Sequence, residues 1–236
     1  MTNYFTARGE DLLHFLAPHL CVGCEEIHDD RVHTLCPTCR ASLETSPYPE
    51  DLFGDLLANF NDEEIGLDAI GSLYSFERDG PMQRIIHAIK YRGCRHLAQN
   101  VGRELGETIA LFPEFAHVDL IVPIPLHTAR RRDRGYNQSD AIARGIGQAH
   151  GIDLDVHAVR RRRNTTTQTS LNARERRRNV EDAFVVSSDA IAGCNVLLCD
   201  DVFTTGATLN ACAWALIGAG AATVVAATIA RDLLNR

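Results

Sequence analysis

Lysine is almost missing from this chain. Of its 24 basic residues, Lys90 alone is a lysine, so nearly all the positive charge is arginine. Long apolar runs are missing too, which excludes a membrane span. The opening MTNYFTARGEDLLHFLAPHL has neither the basic start nor the unbroken apolar core of a secretory signal. Nothing points to an oxidising compartment, so the eight cysteines are not expected to pair as disulfides. Together these absences predict a cytoplasmic protein. What is present, 236 residues of 45% hydrophobic composition, suffices for one sizeable α/β domain and a small appendage.

The net charge of −7 conceals an uneven distribution. Residues 123–180 carry thirteen Arg against five Asp or Glu, a balance of +8, so the remainder carries −15. Arginine suits bidentate contacts to phosphate. The cysteines are uneven as well. Cys21, Cys24, Cys36 and Cys39 form two C-x-x-C knuckles with eleven residues between them. Four thiolates in this spacing close tetrahedrally around Zn²⁺, and metal binding would supply the folding energy that so short a region lacks. His28 and His33, between the knuckles, are expected at the surface. Cys94, Cys194, Cys199 and Cys212 are scattered and read as inert thiols. Glu25, Glu26, Asp29 and Asp30 would repel a nucleic-acid backbone. A structural or protein-docking role is therefore expected for this region, and direct nucleic-acid binding is not expected to be primary.

The organising stretch is VLLCDDVFTTGATLN, Val196 to Asn210. Val196 to Cys199 reads as a strand buried on both faces of a parallel sheet. Asp200 and Asp201 follow, and then Thr204, Thr205, Gly206, Ala207 and Thr208 open an apolar helix. A helix start rich in hydroxyls and unpaired N–H groups seats a phosphate. The two acids cannot share that phosphate, but they accept hydrogen bonds from sugar hydroxyls or face a hydrated divalent cation. Phosphate seat and diol acceptor side by side suit ribose 5-phosphate. Gly206 is expected to serve backbone approach to the phosphate, so that substitutions at Gly206, Asp200 or Asp201 leave stability nearly unchanged.

Upstream, residues 1–46 read as the metal-binding region and 47–68, rich in acids, Pro and Asn, as a linker to a main domain at 69–236. Ala69 to Phe76 reads as a strand. Gly80-Pro81 opens a helix ending at Lys90-Tyr91-Arg92-Gly93, and a second helix covers 96–112. Val118 to Ile124 is a further strand. It runs into a loop carrying Leu126, His127, Thr128, Arg130, Arg132 and Arg134, then into a helix reaching Ala149. Loops at the carboxyl ends of parallel strands bind ligands in open α/β sheets. Leu154 to Val159 reads as another strand. The basic, hydroxyl-rich segment 160–180 is the kind of long polar excursion that is functional or disordered. Thr223 to Ile229 supplies a last strand.

The run of four apolar residues, Asp200-Asp201, two apolar residues and Thr204-Thr205-Gly206-Ala207-Thr208 resembles the signature of type I phosphoribosyltransferases. The resemblance implies a Rossmann-like parallel-sheet fold. It also implies that Asp200 and Asp201 hold the ribose hydroxyls of phosphoribosyl pyrophosphate (PRPP), with Thr204 to Thr208 wrapping its 5-phosphate. Leu126, His127, Thr128, Arg130, Arg132 and Arg134 would hold the pyrophosphate with Mg²⁺. A mobile loop bearing Arg163, Gln168, Arg174 and Arg176 would close over the site. The knuckles, Lys90-Tyr91-Arg92-Gly93, Val122 to His127, Arg134 to Gln138, Arg163 to Leu171, Arg176 to Asn179 and Ala183-Phe184 narrow the match to the ComF family of competence proteins. In that family a zinc ribbon precedes the phosphoribosyltransferase domain. Thr128 stands where the family usually has Pro, and Arg131 where an apolar residue is usual. The resemblance implies a link to DNA uptake and a helicase-type protein partner. Displacement of pyrophosphate at ribose C1 and non-catalytic sensing of PRPP or a 5-phosphorylated nucleotide both remain open, and the sequence names no nucleophile.

Overall fold

A computed structural model describes residues 20–28, 35–76, 80–126, 128–162 and 183–233, with no account of the side chains at 128 and 129. The core is a six-stranded sheet in the order β1-β2-β8-β7-β3-β4. Its strands are β1 (Glu44–Thr45), β2 (Ala69–Phe76), β3 (Leu120–Pro123), β4 (Asp153–Leu154), β7 (Asn195–Phe203) and β8 (Thr223–Asp232). All neighbours run parallel except β1, which lies antiparallel along the edge of β2 with Glu44 opposite Ser75. The central strands are apolar almost throughout, because helices cover both faces.

One face carries α3 (Pro81–Tyr91), α4 (Arg95–Ile109) and α6 (Gln138–His150), packed on Leu197, Cys199, Val225 and Ala227. The other carries α2 (Pro49–Leu57) and α7 (Ala207–Gly218), packed on Val196, Leu198, Val224 and Ala226. Helices α4 and α6 approach backbone to backbone. A Cβ on Gly102 would collide with the Ile142 carbonyl, and one on Gly145 with the Gln99 carbonyl. That closeness fixes α6, and with it the loop before it, relative to the sheet. A small antiparallel pair, β5 (Val159–Arg161) and β6 (Phe184–Val186), packs against the α7 side.

Several boundaries differ from expectation. Residues 47–68, read as a linker, contain α2, whose Leu52 and Leu56 are fully buried in the core. The segment after it is tied down as well: Asn210 Nδ2 and Trp214 Nε1 both donate to the Glu64 carbonyl at 2.8 Å. Between β3 and α6 the expected loop forms a short helix, α5 (Thr128–Arg134). The expected strand at 154–159 divides into β4 and β5. Strand β7 continues through both aspartates to Phe203, since Asp200 pairs with Thr228 and Val202 with Ala230 on β8.

The region before the sheet gathers Cys21, Cys24, Cys36 and Cys39 with the sulfurs all within 4.8 Å of one another. A single turn, α1 (Pro37–Ala41), carries the last of them. None of the eight cysteines is bridged. His28 is buried rather than at the surface, and neither ring nitrogen has a partner among the described residues. His33 lies outside the described residues.

Candidate functional site

From β3 the chain departs toward β4 at one edge; from β7 it departs toward β8 on the other side. The two connections leave neighbouring strands in opposite directions, a switch point of the kind at whose carboxyl ends open α/β sheets form their ligand crevice. Asp200 and Asp201 lie toward the carboxyl end of β7, and the β3–α6 connection leaves the carboxyl end of the neighbouring β3. The backbone closes the two sides together, with Ile124 N donating to the Cys199 carbonyl at 2.9 Å.

The two acids differ in environment, as alternation along a strand requires. Asp200 Oδ1 accepts from Ser139 Oγ at 2.9 Å and from the Asp201 N–H at 2.8 Å. Burial, and then the neighbouring Asp201 charge, push its carboxyl up to about 7; the two hydrogen bonds and Lys90 oppose that rise. Asp201 is buried, and its Oδ1 meets Lys90 Nζ at 3.0 Å. Its Oδ2 is buried with no partner among the described residues.

Ser139 owes its place to Asn137, the N-cap of α6. Asn137 Oδ1 accepts from the Ser139 N–H at 3.3 Å, and its Nδ2 donates to the Ile124 carbonyl at 3.0 Å and to Asp140 Oδ1 at 2.6 Å. One side chain thus joins the end of β3 to the start of α6, closing the loop that faces the acids.

After Phe203, Thr204 and Thr205 lead to Gly206 at φ 75°, the N-cap of α7. Thr205 Oγ1 accepts from the Ala207 N–H at 3.4 Å. Thr204 and Ala207 are exposed, Thr205 and Thr208 half-buried, so this helix start faces outward with its N–H groups at hand. Gly206 itself is buried. A Cβ there would press into Leu56 and Phe203, so the position is required by packing, contrary to the expectation that backbone approach alone sets it.

The arginines do not converge as a set. On α5, Arg130 and Arg134 fall on one helical face, while Arg132 lies nearly opposite. The Arg134 guanidinium sits 5.2 Å above the Tyr91 ring and its Nη1 donates to Gln138 Oε1 at 3.0 Å. His127 lies outside the described residues, as do Arg163, Gln168, Arg174 and Arg176. Leu126 lies beyond the end of β3, and Thr128 is the first residue of α5. Arg161 on β5 went unnoticed in the sequence. Its guanidinium lies 5.6 Å from the Phe184 ring centre. Burial, then Arg130, pull its pKa down, while Asp200 and Cys212 pull it back, so it shares the field of the crevice.

The four-cysteine cluster fits a tetrahedral metal. Backbone N–H groups point at its sulfurs: Gly23 N to Cys21 Sγ at 3.3 Å, Cys36 N to Cys21 Sγ at 3.2 Å and Cys39 N to Cys36 Sγ at 3.4 Å. Burial resists ionisation of Cys21, but the backbone donors outweigh it and bring the thiol down to about 6. N–H groups around its sulfur favour the Cys21 thiolate, the form that binds metal, whereas burial and then the neighbouring thiols push Cys39 up.

The fold is a doubly wound, mostly parallel sheet whose switch point carries an acid pair and a Thr-rich helix start, the arrangement expected from the resemblance to phosphoribosyltransferases, and a four-cysteine cluster precedes it. The chain is similar to several known proteins. Competence protein F of Haemophilus influenzae is 36% identical over 201 residues, 80% of this chain and 87% of that protein. DNA utilization protein YhgH of Salmonella typhi is 32% identical over 156 residues, covering 65% of this chain and 68% of that one. Competence protein ComFC of Bacillus subtilis is 30% identical over 163 residues, or 68% and 63% of the two chains. The chain belongs to the ComF family of competence proteins. No family model matches it. Among solved structures, the glutamine PRPP amidotransferase of Bacillus subtilis with ADP and GMP aligns at 18% identity and a TM-score of 0.41, over 59% of this chain and 30% of that one.

Proposed function

We propose that this protein binds PRPP with Mg²⁺ at the carboxyl ends of β3 and β7, and that an acceptor nucleophile bonds to the ribose C1 as pyrophosphate leaves it. The observation that carries the reading is the position of Asp200 and Asp201 at the carboxyl end of β7, one short turn before the N-terminus of α7. Acceptors for the ribose hydroxyls and donors for the 5-phosphate are then set by a single strand and helix. Asp200, half-buried and oriented by Ser139, takes a ribose hydroxyl. The N–H groups and hydroxyls from Thr204 to Thr208 take the 5-phosphate. Arg130 and Arg134, on one face of α5, offer charge to the pyrophosphate as it leaves. A divalent cation arriving with PRPP supplies further neutralisation of that leaving group. The ribbon takes Zn²⁺ as a structural metal. We place the activity in DNA uptake, as the competence names of the relatives suggest, with a protein partner of helicase type.

The test is a titration of protein with PRPP and Mg²⁺, followed by measurement of pyrophosphate release with a panel of bases, amines and ammonia. Release that depends on one acceptor establishes transfer. Tight binding with no release under any acceptor would replace transfer by sensing of PRPP or a 5-phosphorylated nucleotide.

A further inference from the structure

Lys90 is the chain's one lysine, and it stands where a cation meets the acid pair. Its side chain is 21% exposed and that of its partner Asp201 7% exposed. A compact ammonium neutralises one carboxylate oxygen and leaves the other, whereas a guanidinium fork reaches for both. The opposing charge also matters for Asp200, whose ionisation beside Asp201 is disfavoured and is eased by Lys90.

The position of Lys90 is set by α3, and α3 is gripped at several points. Near its C-terminus, the Tyr136 hydroxyl donates to the Ile89 carbonyl. Tyr136 precedes Ser139 by three residues, and Ser139 donates to Asp200. A continuous ring therefore runs from Asp201 through Lys90, Ile89, Tyr136 and Ser139 to Asp200. The ribbon grips the same helix from outside. Arg84 Nε donates to the Gly23 carbonyl, and Arg92 Nη2 meets Glu25 Oε1 at 2.8 Å. Met82, Ile85 and Ile86 share an apolar cluster with Cys21, Leu35 and Cys39. Gly23 lies inside the first knuckle, and a Cβ on it would stand 2.8 Å from Cys39 Sγ. The backbone geometry that gathers the four sulfurs thus also places the carbonyl that receives Arg84.

We propose that the four-cysteine ribbon braces α3 and through it sets Lys90, a positioning residue, against Asp201, so that metal at the ribbon and ligand at the acid pair strengthen each other's binding. The identity of the ligand rests on the function proposed above; the brace does not. Because linkage is reciprocal, PRPP should also raise the equilibrium affinity for the metal by the same factor.

The lone lysine makes the test direct. Its ε-amine and the chain's α-amine are the only amines an acylating reagent can modify, and mass spectrometry separates them. With the full chain loaded with Zn²⁺, Lys90 should acylate slowly. Stripping the metal with a chelator should raise that rate roughly tenfold and lower PRPP-Mg²⁺ affinity, read by calorimetry, by a similar factor. Arg84→Ala should do both while the metal stays bound. Lys90→Met should lose affinity and, by leaving the buried Asp201 carboxylate without its cation, lower the melting temperature, and Lys90→Arg should restore part of both. Equal acylation rates with and without Zn²⁺ would overturn the brace, as would an Arg84→Ala variant with wild-type rate and affinity. If loaded wild type fails to bind PRPP, the ligand assignment falls, while the acylation rates still judge the brace.

Discussion

Gly206 meets two demands at once. Its left-handed backbone turns the chain from β7 into α7, and its bare Cα lets Leu56 and Phe203 close beneath the turn. A β-branched residue there strains the backbone and overpacks the core, at a cost of about 2 kcal/mol or more. Gly206→Val is expected to lower the melting temperature of the unliganded protein by several degrees, and an unchanged melt would refute the packing seen around it. Asp200 makes a different prediction. Its carboxyl titrates near 7 in the fold against an ordinary 3.8, so the folded state holds its proton longer than the unfolded chain does. The resulting cost is absent below 3.8, grows as pH rises, and is complete above about 7. Asp200→Asn should therefore stabilise the unliganded protein at about pH 8 and change little at about pH 4, as thermal melts at the two values would show. The same substitution should weaken ligand binding, the trade expected where a binding site is built from disfavoured charge. Asp201 is not a mirror image. It is buried against Lys90, so Asp201→Asn strands a cation and lowers stability as well as affinity.

At the scale of elements, the ribbon is joined to the sheet domain rather than hung from it. Cys21, Leu35 and Cys39 share a core with α3, and β1 completes the edge of the sheet beside β2. The purified protein should hold about one Zn²⁺ per chain by elemental analysis. Cys36→Ser should lose that metal and lower the melting temperature of the whole chain; metal-free protein with paired disulfides would remove the ribbon from the account. On α5, the face shared by Arg130 and Arg134 should matter more than Arg132. Replacing Arg130 and Arg134 together should weaken PRPP binding more than ribose 5-phosphate binding, and equal losses would indicate a general field effect. The elements themselves were unevenly legible. β2 could be read from the sequence because an apolar run between turn residues has few alternatives. The end of β7 was hidden because two acids resemble a turn, and their place in a strand depends on Thr228 and Ala230 of β8, far along the chain. Helix α2 was masked by the acids and Pro around Leu52, Phe53 and Leu56, whose spacing marks the buried face. The roles of Lys90, Ser139 and Arg161 arise only from long-range contacts, although a single lysine in an arginine-rich chain was a visible signal.

For the molecule as a whole, strand order sets the site. Two connections diverge above β3 and β7, and the acid pair, the Thr-rich turn and the arginine-bearing α5 all follow the carboxyl ends of these two neighbouring strands. Among the described residues no helix is long and apolar enough to cross a membrane. The most direct test of the account is calorimetric titration of wild type and Asp200→Asn with PRPP in Mg²⁺. A hydrogen bond to a charged group contributes about 1.5–3 kcal/mol, so the variant should bind roughly ten- to a hundredfold more weakly. Wild-type affinity should also rise as pH passes upward through about 7, with proton release on binding below that value, because the ligand favours the ionised carboxylate. A wild type that takes up no PRPP, or an Asp200→Asn variant that binds it equally well, would contradict the account.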